Sequence, residues 1–98
     1  MANVILKGVC YGTDGKTPLK TAQVTINIKN SAMVLVKTGT SSLVDGSYNL
    51  TYDNSLLVQT DFKIVVEYKR ADSGNTLTIN GLSGFNAFAQ TLNPVPPT

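Results

Sequence analysis

The chain carries few groups with which to do chemistry. It has no His, one Cys (Cys10), one Glu (Glu67), and Asp only at positions 14, 45, 53, 61 and 72. Without imidazole there is no Ser–His or Cys–His nucleophile pair and none of the usual zinc ligand sets. Asp53, Asp61 and Asp72 sit apart at loop edges, whereas a calcium loop needs several oxygen ligands close together. Cys10 alternates in phase with Leu6, which makes it a buried, inert thiol. A lone Cys forms no internal disulfide. Gly81-Leu82-Ser83-Gly84 has the glycines of a phosphate-binding turn, but no helix pattern follows it. The expectation is a protein that is no enzyme and holds no metal and no cofactor.

The elements that would position any site are strands. Leu6, Gly8 and Cys10 alternate with Lys7, Val9 and Tyr11, and Val24, Ile26 and Ile28 alternate with Thr25 and Asn27. Period two describes a sheet with one dry face. Phe62, Ile64, Val66 and Tyr68 share one face of the clearest strand, and Lys63, Val65, Glu67 and Lys69 share the other. Strands are expected at 3–11, 21–29, 33–40, 47–53, 60–70, 75–81 and 85–92. The expected core is Leu6, Cys10, Val24, Ile26, Ile28, Tyr48, Leu50, Phe62, Ile64, Val66, Leu77 and Ile79. Gly12 to Pro18 reads as a turn. Asp45-Gly46 does too, and Asp-Gly between alternating runs is a hairpin signal. Short strands with turns every 8 to 12 residues form the pattern of a sandwich.

The turn and strand residues resemble the carboxypeptidase regulatory-like domains, also described as transthyretin-like or Cna-B-like sandwiches. The resemblance covers roughly residues 4 to 68. It rests on Gly8, on Gly15, Pro18 and Leu19, on Ala22, Val24 and Ile26, and on Asp45, Gly46, Tyr48 and Leu50. It implies an all-β, seven-stranded, antiparallel Ig-like or transthyretin-like β-sandwich. Residues 1–93 would form the single domain and 94–98 a Pro-rich C-terminal tail. Relatives of this kind serve as accessory domains, adhesin stalks, surface modules and virion parts, so the motifs specify architecture better than function. Cna-B-like domains often carry a Lys–Asn isopeptide cross-link promoted by a buried acid. Lys7, Asn93 and Glu67 are the candidates here, but alternation turns Lys7 and Glu67 outward, where the amine stays solvated and charged.

Ninety-eight residues make one domain. Charged residues are 14%, against about 25% in ordinary soluble proteins, and Thr, Asn and Ser fill the gap. A polar, uncharged surface is common on extracellular and virion β-proteins. The net charge of +2 is small and the basic residues are scattered apart from Lys69-Arg70, so neither nucleic acid nor membrane is expected as a partner. No apolar run approaches the roughly 18 residues of a membrane span, and Met1-Ala2-Asn3 leads straight into strand residues without a signal-peptide pattern.

These readings point to a structural or interaction protein acting by protein–protein contact. The expectation is a virion accessory subunit, decorating a capsid or tail, or a filament subunit. Its partners would be other subunits of a larger assembly: a capsid or tail protein, or copies of itself. The alternative is a carbohydrate-binding or adhesin-type module of a surface protein, extracellular or on the cell surface, with Tyr11 and Tyr52 as the aromatic platform. The expected contact segment is the C-terminal one. Phe85, Phe88 and Leu92 lie on a strand with both faces apolar, and Pro94, Val95, Pro96 and Pro97 follow. Proline cannot add ladder bonds, so the tail is expected to be held by a partner.

Overall fold

Alternating apolar residues place nearly all of the regular structure in strands, and the partition between two sheets decides which faces meet. The computed structural model describes residues 3–85 and 90–98. In chain order it contains β1 (Asn3–Val9), β2 (Val24–Asn30), β3 (Leu35–Thr40), β4 (Ser47–Asp53), β5 (Lys63–Arg70), β6 (Thr76–Ser83) and β7 (Gln90–Thr91), with a single 3-10 turn at Asn54–Leu56. One sheet has the order β4-β1-β7 and the other β3-β2-β5-β6. Of the strand expected over 85–92, the structure describes pairing at 90–91 only; residues 86–89 lie outside the described residues.

The core lies between the sheets. β2 alternates buried and half-buried along its whole length, and Val24, Ile26 and Ile28 meet Val4 and Leu6 of β1, Tyr48, Leu50 and Tyr52 of β4, and Ile64, Val66 and Tyr68 of β5. Most of the expected core is buried. Phe62, Leu77 and Ile79 are only partly buried and pack against it. Leu77 and Ile79 are half-exposed because β6 is an edge strand. Val65, on the outer face of β5, is 7% exposed without joining that cluster.

Two expectations are corrected. The pairing is not wholly antiparallel, because β7 runs parallel to β1, with Leu6 opposite Gln90 and Lys7 opposite Thr91. Asp45-Gly46 is a tight turn with Gly46 at φ 74°, but it closes no hairpin: β3 and β4 belong to different sheets. Ser41 shows why the chain leaves its sheet there. Its N–H donates to Val24 O and its hydroxyl accepts from Val24 N–H, both at 2.9 Å, capping β2 as the chain crosses over. A Cβ at Gly46 would stand 2.8 Å from Cys10 O, so this crossing needs glycine for space as well as for φ. The true hairpins are β2–β3 and β5–β6.

Candidate functional site

Strand direction sorts the loops into two ends of a molecule measuring 38 × 22 × 18 Å. At one end lie the β2–β3 turn, the segment from Asn54 to Phe62 and residues Gly84–Phe85. At the other lie the 10–23 and 41–46 loops, the β5–β6 turn and the C-terminal tail.

The expected contact segment is divided between these ends. Phe85 is 52% exposed and its ring lies 4.5 Å from that of Phe62. Phe88 lies outside the described residues. Leu92 is half-buried; its N–H donates to Lys7 O and its carbonyl accepts from Tyr48 Oη. The tail then runs along its own domain. Asn93 Oδ1 accepts from Val9 N–H at 3.0 Å, Pro94 O from Tyr11 N–H at 2.9 Å, and Thr98 O from Asn75 Nδ2 at 2.8 Å. Pro94 and Pro96 are buried, while Val95 and Pro97 face solvent. The tail therefore has a hydrogen-bonding use inside the sandwich that the sequence reading denied it: proline lacks the N–H but keeps its carbonyl acceptor.

The first end gathers most of the exposed apolar side chains. Met33, Val34 and Leu35 are each more than half exposed, as are Leu56 and Phe85. Two buried asparagines draw these pieces together. Asn30 Oδ1 accepts from Ala32 N–H and Val34 N–H, while its Nδ2 donates to Leu56 O at 3.2 Å. Asn54 Nδ2 donates to Phe85 O at 3.2 Å. Ser31 and Asp61 add a rim bond of 3.1 Å. Met33 stands at φ 63°, a left-handed conformation in which glycine or asparagine is the ordinary occupant. Sequence reasoning missed this end, since its hairpin carries no Gly; the signals were Asn30 and the unbroken Met-Val-Leu run.

No protein-family model matches the chain, and no curated protein matches it.

The remaining chemistry is that of a packed interior. Cys10 is fully buried, and burial pushes its thiol up to about 11. Tyr48 Oη donates to Leu92 O at 2.7 Å and, having one proton, accepts from Tyr68 Oη at 2.7 Å. Tyr52, a candidate platform for carbohydrate, is buried, with its hydroxyl donating to Gly84 O at 3.1 Å; Tyr11 is half-buried. Lys7 is exposed on the three-stranded sheet. Glu67 lies on the other sheet and pairs with Lys29 at 3.0 Å. A shallow depression of about 340 Å³ beside Lys7 is lined by Val9, Asn49, Thr91 and Asn93, with Lys7 its single charged group. Among the described residues no three His, Cys, Asp or Glu side chains converge on a metal-sized space. No helix there is long and apolar enough to cross a membrane.

Proposed function

We propose that this chain is a non-enzymatic interaction subunit whose contact surface is the apolar end formed by Met33, Val34, Leu35, Leu56 and Phe85. The observation that carries this reading is the run Met33-Val34-Leu35, exposed where the β2–β3 turn enters β3, with Met33 at a positive φ and the turn amides of Ala32 and Val34 bonded to the buried Asn30. Three consecutive exposed apolar residues cost solubility, and the left-handed methionine costs roughly 1–2 kcal/mol. A surface that combines both is a docking surface. The assembly we favour is a virion, with the chain decorating a capsid or tail; the sparse charge on its surface supports that setting.

The architecture we infer is the transthyretin-like form of the seven-stranded sandwich. In an immunoglobulin constant domain the first strand shares a sheet with the second, fourth and fifth. Here β1 lies between β4 and β7, while β2 and β5 sit together in the other sheet. The turn residues Gly15, Pro18, Asp45 and Gly46 favour the same reading.

Occupancy on the assembly tests the function. Val34→Asp places a charge on the apolar end, at a side chain that is 59% exposed. In particles purified from the cells that make the chain, the variant should be lost while its circular dichroism stays native. Unchanged occupancy would refute the assignment of the surface.

A further inference from the structure

Among the described residues, two of the sheet edges carry a charge that guards them against pairing with another chain. β3 carries Lys37 and β4 ends on Asp53, while β7 is described at Gln90–Thr91 only. Short length and charge are the usual devices that keep an edge from accepting a foreign strand. β6 has neither. Its eight residues, Thr-Leu-Thr-Ile-Asn-Gly-Leu-Ser, include no charge and no proline. One irregularity interrupts it, where Asn80 and Gly81, with Gly81 at φ 73°, stand opposite Val65 alone. Thr76 to Ile79 precede that bulge as a regular edge.

The free backbone groups of this edge follow from one hydrogen bond. Arg70 N–H donates to Asn75 O at 3.0 Å. Alternation along an antiparallel ladder then makes Tyr68 with Leu77, and Val66 with Ile79, the bonded pairs. The N–H and C=O groups of Thr76 and Thr78 point away from β5, and β5 is the only described strand beside β6.

We infer that β6 is a self-pairing edge: a second copy of this chain adds its own β6 antiparallel, on a two-fold axis through Thr78, joining two four-stranded sheets into one of eight. The sequence of the strand selects a copy of itself. A two-fold axis at Thr78 sets Thr78 opposite Thr78, Thr76 opposite Asn80, and Leu77 opposite Ile79. No like charges meet, and threonine pairs are favourable across strands. The same operation on β3 about Lys37 would set two ammonium groups against each other. Leu77 and Ile79 are the half-buried side chains of the edge, and each would receive the other as its cross-strand neighbour. The contact is isologous, so it closes at two copies and leaves the apolar end of each free.

Sedimentation velocity from roughly 1 μM to 1 mM protein tests this on the wild type, Thr78→Lys and Thr51→Lys. Both threonines are exposed on strands, so both variants keep the fold, and circular dichroism verifies it. The wild type and Thr51→Lys should pass from monomer to twice that mass as concentration rises. Thr78→Lys should stay monomeric, with its self-association weakened ten-fold or more. Exchange of the Thr76 and Thr78 amides should slow only in the dimer. A wild type that stays monomeric throughout overturns the inference. So does a dimer that survives Thr78→Lys, including one abolished by Val34→Asp, which would place self-association at the apolar end.

Discussion

Met33 is the residue at which stability and function part. Its left-handed backbone is strained, and its side chain is half in solvent. Met33→Gly removes the strain and adds unfolded-state entropy, so stability should hold or rise by up to about 1 kcal/mol, while partner binding falls. A stability loss above about 1 kcal/mol in urea unfolding would make Met33 a structural residue instead. The buried ionisable groups give a second test. Burial raises the Cys10 thiol from 9.0 to about 11 and the Tyr52 phenol from 10.0 to about 12, and Tyr48 and Tyr68 are held neutral in the same way. In the unfolded chain these groups ionise at their ordinary values. The stability they contribute is therefore full below about pH 9 and is lost as pH rises through 11 to 12. Urea midpoints should be level from neutral pH to about 9 and fall above it. A level midpoint at pH 11 would show that these groups reach solvent in the folded state.

At the scale of elements, β5 has a core face and an outer face that differ in degree. Ile64→Ala removes buried methyls from the core and should cost about 2–5 kcal/mol. Val65 is also nearly buried but stands outside that cluster, so Val65→Ala should cost less, about 1–2 kcal/mol. Equal losses would mean that both faces of β5 are packed alike. The tail behaves as a further element. Pro94 and Pro96 are buried, and Arg70, clamped by Asp72 at 2.7 and 2.9 Å, reaches the Thr98 hydroxyl at 3.5 Å. Removing residues 94–98 should lower stability by about 2–4 kcal/mol; no loss in chemical denaturation would show the tail to be incidental. Strand positions were legible because alternation reports one-sided burial directly. Sheet membership was not, because period two is blind to which strand lies beside which. Asp45-Gly46 was legible as a turn, yet its sheet crossing depends on Ser41 bonding Val24 across 17 residues.

At the scale of the molecule, five of the eight large apolar side chains that stand exposed among the described residues lie at one end and Leu43, Val44 and Val95 at the other, while the residues with ionisable chemistry are scattered or buried. That distribution was only half legible. Phe85 was singled out for its apolar strand, but Val95 lies at the other end. Met33, Val34, Leu35 and Leu56 are joined to Phe85 by two asparagines distant from each other in sequence. The most direct measurement of the central claim is site-specific photo-cross-linking within the native assembly. A photoreactive residue is placed in turn at position 34 on the apolar end, at 44 on the opposite end and at 51 on the outer face of β4, all exposed. The apolar-end account predicts a single dominant adduct to an assembly subunit from position 34 and none from 51. Adducts from position 44 or 51, with none from 34, would contradict it.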